Sequence, residues 1–354
     1  MKKLLFLLLF PLLGFGQFNP IFFGSNVQKP FVSTWNTNNT SVGSSTSTQV
    51  SLPLIASGTY NFSVDWGDGT YGQVTTYNIG NTHTYSIAGT YVIKIYGVCI
   101  GWQFNNSGDR LKILDIYSWG KLRLGNSLGY FNGCANLNLS NVIDVLNLTG
   151  TTILSNAFQG CSGMTTCNRM NEWNVSNVTL LNNIFQNCSN FDQNIGNWNV
   201  SSVVDFSRMF AQAIKFNNGG SSDINNWNLK TTGTVDMNTM FANANLFNQP
   251  LNNWNTIAVV NMLSMFQNAT VFNQDIGSWN ISNVANLSSF MLGKTPATFS
   301  TANLDSIYNG WSTRTVQPSI TITFGTAKYT AGAITGRAIL TGAPNLWNIT
   351  DGGI

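Results

Sequence analysis

One short phrase recurs through the middle of this chain and constrains its fold more than any other feature. It reads Cys134-Ala135-Asn136-Leu137, then Phe158-Gln159-Gly160-Cys161, Phe185-Gln186-Asn187-Cys188, Met209-Phe210-Ala211-Gln212-Ala213, Met240-Phe241-Ala242-Asn243-Ala244 and Met265-Phe266-Gln267-Asn268-Ala269. The anchoring rings are Phe131, Phe158, Phe185, Phe210, Phe241 and Phe266, spaced by 27, 27, 25, 31 and 25 residues. A second ladder keeps step with them: Trp173, Trp198, Trp227, Trp254 and Trp279, each followed by Asn. A period of this length with fixed apolar anchors predicts stacked supersecondary units rather than one globular core. It also directs attention to an extended binding surface.

The surface of such a stack must be polar, yet only 8% of the 354 residues are charged, against roughly 25% in an average soluble domain. Asn, Ser, Thr and Gly supply the polarity, with 50 asparagines alone. Net charge is +3 and no basic cluster is present, so the chain lacks the electrostatic footprint of a nucleic-acid binder.

Met1-Lys2-Lys3 followed by the apolar run Leu4–Leu13 and Gly14-Phe15-Gly16 reads as a secretory signal peptide, residues 1–16, with cleavage near Gly16–Gln17. No later segment reaches the 18 or so apolar residues of a spanning helix. The first 90 residues hold no Cys, which argues against a lipoprotein anchor. The expected location is secreted or on the outer cell surface. Five cysteines remain: Cys99, Cys134, Cys161, Cys167 and Cys188. Export suggests disulfides, but Cys134, Cys161 and Cys188 share a register that later repeats fill with Ala213, Ala244 and Ala269. A position that accepts either residue asks for a small buried group, so free thiols are expected. Bridges between adjacent rungs, or Cys161 with Cys167, are the alternatives.

Residues 17–47 are Ser/Thr/Asn-rich and read as a linker with a first strand. Over 48–98, Tyr60–Trp66 and Tyr91–Tyr96 alternate as strands do, separated by turn sequences Gly67-Asp68-Gly69-Thr70 and Ile87-Ala88-Gly89-Thr90. A small β-sandwich is expected here. In residues 99–295, Val203, Phe206, Met209 and Phe210 fall at i, i+3, i+6 and i+7, a short helix with one buried stripe. Asp205 and Asp236 sit where they would cap such helices. Phe191–Val200 suits a short strand. The expected unit is therefore helix, turn, strand, turn. Residues 296–354 read as a cap, with helices near Leu304–Trp311 and Ala331–Leu340 and a strand at Ile320–Phe324.

Two resemblances add to this. Val64-Asp65-Trp66-Gly67-Asp68-Gly69-Thr70, His83-Thr84-Tyr85 and Gly89-Thr90-Tyr91-Val92 resemble the PKD domain, an immunoglobulin-like extracellular module; the resemblance implies a presenting or spacing role. The blocks Met240–Gln249 and Met265–Gln274, with Trp173–Val178 and Trp279–Val284, resemble the BspA-like branch of leucine-rich repeats in bacterial surface proteins, over about 180 residues. That implies a fold of β-sandwich followed by an α/β solenoid of leucine-rich-repeat type, and an adhesive role. The last segment resembles the C-terminal cap of such proteins. Many relatives continue into a sorting tail, so either this chain has none or the sequence is a fragment.

Catalytic chemistry finds few candidates. The only His is His83, and no nucleophile-elbow motif accompanies it. Zinc would need several Cys, His or acid ligands at short spacing, which the in-register cysteines do not offer, and no cofactor is expected. Asp192, Asp205, Asp223, Asp236 and Asp275 occupy different repeat phases, as caps and turns would. Asp65 and Asp68 are weak calcium candidates, although a turn alone explains them. The Trp row either fills the core or stacks on sugars. Ile or Val two residues later (Val175, Val200, Ile281) favours the core, and the neighbouring Asn suits turn hydrogen bonding. The sequence thus points to a non-catalytic, monomeric binding protein contacting protein or glycan. A ligand-free envelope spacer and a polysaccharide-degrading enzyme are the alternatives.

Overall fold

The computed structural model describes residues 29–354. The signal-peptide reading of residues 1–16 lies outside the described residues. Eight strands come first: β1 Phe31–Asn36, β2 Gln49–Ser51, β3 Thr59–Asp65, β4 Tyr71–Val74, β5 Thr82–Thr84, β6 Thr90–Ile100, β7 Ile113–Ser118 and β8 Leu122–Arg123. The main sheet runs β4-β3-β6-β1-β7, with β8 beside the end of β6 and a separate β2–β5 pair. Alternation decides which face is buried: Tyr60, Phe62 and Val64 of β3 point inward while Thr59 and Asn61 are exposed. Trp35, Val50, Tyr85, Ile93 and Ile95 complete the core of the two sheets. The sheet thus draws β1 from the stretch read as linker with a first strand and β7 from the stretch read as repeats. β7 has a double role. It pairs antiparallel with β1, and on its other side Asn138 N donates to Leu114 O at 2.8 Å and Ile143 N to Tyr117 O at 3.0 Å. The sheet therefore continues into the first repeat without a linker.

The repeats correct the fold expected from sequence. Small sheets dominate, mostly antiparallel before residue 119 and parallel after it, and among the described residues the only α-helices are α1 Thr301–Trp311 and α2 Ile334–Thr341. No α-helix forms between residues 99 and 295, and Phe191–Val200 is not a strand. The α/β solenoid of leucine-rich-repeat type is therefore not the architecture of this chain.

The backbone explains why. An α-helix spends every interior N–H on its own carbonyls. Here alternate N–H groups go elsewhere. Leu181, Asn183, Phe185 and Asn187 donate to Asp205, Ser207, Met209 and Ala211 of the next repeat at 2.9–3.0 Å, while Ile184, Gln186 and Cys188 close tight turns onto the carbonyls three residues back. The same alternation recurs at Phe206–Ala213 and Met237–Ala244. Two left-handed residues per repeat make it possible. Asn156, Asn183, Arg208, Thr239, Ser264 and Ser289 share one such position at φ 53–57°, and Gly133, Gly160, Asn187, Gln212, Asn243 and Asn268 share the other. Apolar residues at i, i+3 and i+6 face inward from a run of turns as they would from a helix, so the side-chain pattern alone does not separate the two.

Aromatic rings fill the interior. Phe131, Phe158, Phe185, Phe210, Phe241 and Phe266 stack in succession, centroids 5.5–5.9 Å apart and planes within 12°. Phe191, Phe216, Phe247 and Phe272 form a parallel row at 5.8–6.0 Å. Each ring pair contributes about 0.5–1.5 kcal/mol beyond area burial. The first row ends at Phe266: Met291 takes its register in the next repeat, and Phe290 meets the Phe266 ring edge-on at 84°. Short strands β9 Val235–Asp236 and β10 Val259–Asn261 pair in parallel along the stack, and β11 Thr321–Thr323 with β12 Asn348–Thr350 do the same at its end. There α1 packs against α2, and Trp311 of α1 continues the indole row.

Candidate functional site

Most residues singled out from sequence are internal. Phe158, Phe185, Phe210, Phe241 and Phe266 are fully buried, and Trp173, Trp198, Trp227, Trp254 and Trp279 are at most 3% exposed. The indoles are tied to the previous repeat. Nε1 of Trp198, Trp227, Trp254 and Trp279 donates to the carbonyls of Met170, Ile195, Ile224 and Leu251 at 2.8–3.2 Å. Trp173, the first of the row, has an Nε1 without a partner. No ring face in this row is open to a sugar.

Asp65 and Asp68 flank the turn before β4. Asp65 accepts from Gly67 N at 3.0 Å and lies 3.6 Å from Lys94 Nζ. Asp68 accepts from Thr70 N and Oγ1 and stands 2.8 Å from His83 Nε2. Partial burial would raise the Asp68 carboxyl, but the Thr70 and His83 hydrogen bonds outweigh it and hold the group below its ordinary range. His83 in turn stacks on Trp66 at 4.9 Å. Both carboxylates are committed to turn geometry and to the neighbouring Lys94 and His83 side chains. Among the described residues no cluster of three or more His, Cys, Asp or Glu has the spacing to hold a metal.

The five cysteines are free and buried. Cys161 and Cys188 donate their thiols to Phe131 O and Phe158 O of the preceding repeat at 3.1 and 2.9 Å. Burial pushes the Cys188 thiol up to about 12, so none of this row offers a nucleophile. The scattered aspartates are structural acceptors: Asp205 takes Ser207 N, Asp236 takes Asn238 N and Asp275 takes Gly277 N within their own turns, while Asp192 takes Asn217 N and Gly219 N and Asp223 takes Asn194 Nδ2 across repeats.

Two surface cavities among the described residues have polar linings. One, of about 410 Å³, lies between the 43–53 loop and Gln103–Asp109. Asp109 in its lining belongs to a buried ion pair that is already satisfied. Lys112 Nζ donates to Ser45 O, Thr46 O and Gln49 O at 2.8–2.9 Å and stands 3.4 Å from Asp109, which accepts from Ser45 N and Ser51 N at 2.7 Å. Burial lowers the Lys112 ammonium and Asp109 partly restores it. This cluster fastens a loop.

The second cavity, about 400 Å³, opens on the side of the first repeats. Its floor is Gly133 and Gly160, at the left-handed position where the following repeats carry Asn187, Gln212, Asn243 and Asn268. Replacing an amide by hydrogen in two successive rungs leaves a groove. Its walls are Asn106, Asn132, Gln159 and Asn187, and Arg110 crosses one end. One of these amides is pre-set: Gln159 Nε2 donates to Gln186 Oε1 at 2.7 Å. Sequence reasoning passed over Arg110 and this pair of glycines; the one available signal was Gly in place of Asn within an otherwise amide register. The volume falls in the range of small-ligand sites, and the lining is suited to hydrogen bonding without covalent chemistry.

A chain of tandem, aromatic-filled repeats fused to an antiparallel sheet is a repeat protein. It belongs to the family described as Mycoplasma protein of unknown function, DUF285, which matches residues 151–234 and 219–335, together just over half of the chain. No curated protein and no solved structure matches it. Among the described residues no helix is long and apolar enough to cross a membrane.

Proposed function

We propose that this chain is a non-catalytic binding protein, monomeric, exported to the cell exterior, that contacts glycan or protein through the amide-rich side of its repeats. The groove over Gly133 and Gly160 carries this reading: it is open, walled by amides, and held by a backbone that the stacked rungs make rigid. Rigid walls spare the ordering cost that binding otherwise incurs. Amide rows elsewhere support it, such as Asn268 Nδ2 on Asn243 Oδ1 at 3.1 Å and Asn225 Nδ2 on Asn252 Oδ1 at 3.0 Å. The charged N-terminal head and apolar run of residues 1–13 support export. The resemblances to BspA-like surface proteins and to PKD domains support an adhesive rather than enzymatic role. Screening the purified protein on glycan and protein arrays, with cell fractionation in parallel, tests the reading. A saturable ligand and an extracellular pool are expected. A silent array would favour a spacer, and a purely cytosolic pool would overturn the proposal.

A further inference from the structure

We infer that the groove over Gly133 and Gly160 selects a carboxylate-bearing saccharide, with Arg110 taking the acid group; this rests on the binding role proposed above. Among the described residues, Arg110 is the only charged one lining the groove. Its Nη1 bonds Ser41 Oγ at 3.0 Å, and among the described residues no carboxylate lies within ion-pair distance of it. A guanidinium carries five donors in a planar fork that matches a carboxylate, and the Ser41 bond uses only one of them. Gly133 is what allows this placement. A Cβ there would come within 2.8 Å of Arg110 Cδ and closer still to Asn106 Oδ1. The arginine stem and the Asn106 amide therefore lie directly on the backbone of the first rung.

The rest of the lining fixes the class of ligand. Asn106, Asn132, Gln159 and Asn187 each present both a donor and an acceptor, which suits ring hydroxyls, whose O–H groups both donate and accept. No acid in the lining would repel an anion. An acidic peptide satisfies the guanidinium equally well, but it offers few hydroxyl partners to four amides.

Calorimetric titration with digalacturonate, neutral galactobiose and a short poly-glutamate peptide tests this on the full chain, the Arg110→Gln variant and the Gly160→Asn variant. Gly160→Asn fills the groove at a left-handed position that Asn187, Asn243 and Asn268 already occupy, and the nearest atom to its Cβ is 3.7 Å away, so the fold is retained. We expect saturable binding of digalacturonate that weakens with salt, falls about tenfold or more in Arg110→Gln, and disappears in Gly160→Asn. If galactobiose binds as well and only Gly160→Asn matters, the groove is a site but the acid selectivity is wrong. If poly-glutamate binds as tightly as digalacturonate, the saccharide assignment is wrong. If binding ignores Gly160→Asn, or none of the three probes binds, the inference fails outright, while a hit on the arrays would still leave the general binding role standing.

Discussion

Lys294 Nζ donates to Phe272 O at 2.6 Å, from the register that Ala269 fills one repeat earlier. The same ammonium donates to the carbonyls of Ala269 and Thr270 and has no carboxylate partner among the described residues. In earlier repeats, the carbonyl equivalent to Thr270 O is met by the next rung, as Val271 N meets Asn245 O and Lys215 N meets Ser189 O. After residue 294 the chain departs toward α1, so a side chain supplies the donors that the backbone no longer does.

This sets a pH dependence. Burial lowers the Lys294 pKa to about 8. The unfolded chain then holds the proton more tightly than the folded one, so this residue's contribution to stability rises as pH climbs from about 8 toward the unfolded value. Compared with Lys294→Met by urea denaturation, the wild type should gain about 2 kcal/mol between pH 7 and pH 10. An unchanged difference would mean that the lysine is not buried as described.

The indole row predicts a contrast. Trp279→Phe loses the bond to Leu251 O and strands a buried carbonyl, whereas Trp173→Phe removes a donor that had no partner. Trp279→Phe should therefore be the more destabilising by about 1–3 kcal/mol, read from denaturant midpoints at equal slope. Equal losses would show that ring volume alone matters.

What the sequence made legible follows from which interactions depend on residue identity. The Phe and Trp rungs were visible because each position must be filled by a large apolar ring. The turn geometry was not, because its left-handed position is occupied by Asn156 and Asn183 but also by Arg208, Thr239 and Ser264, which carry no left-handed signature. Inter-rung bonds between backbone groups leave no mark on side chains, so i, i+3, i+6 was read as helix. β7 was hidden because a strand shared by sheet and repeats belongs to neither pattern. The groove was hidden because it is made of what is missing, two amides replaced by Gly133 and Gly160.

Thr239 holds φ 57°, a costly conformation for a β-branched residue. Thr239→Asn should stabilise the protein by roughly 1 kcal/mol, seen as a higher Tm. A lower Tm would indicate that the Thr239 hydroxyl bond to Asn238 outweighs the backbone strain.

The buried thiols should resist modification. The folded protein should leave a disulfide reagent unconsumed even near pH 9, since burial keeps Cys188 and its neighbours protonated, and all five should react on unfolding. A thiol titrating in the folded state would place that repeat's interior in solvent.

The central claim is that alternate amides of each repeat bond to the next repeat rather than within a helix. Scalar couplings across hydrogen bonds, measured by NMR on deuterated protein, test it directly. The amide nitrogens of Phe185 and Phe241 should couple to the carbonyl carbons of Met209 and Met265. Couplings from Phe185 to Leu181 and from Phe241 to Met237, the helical pattern, would contradict it.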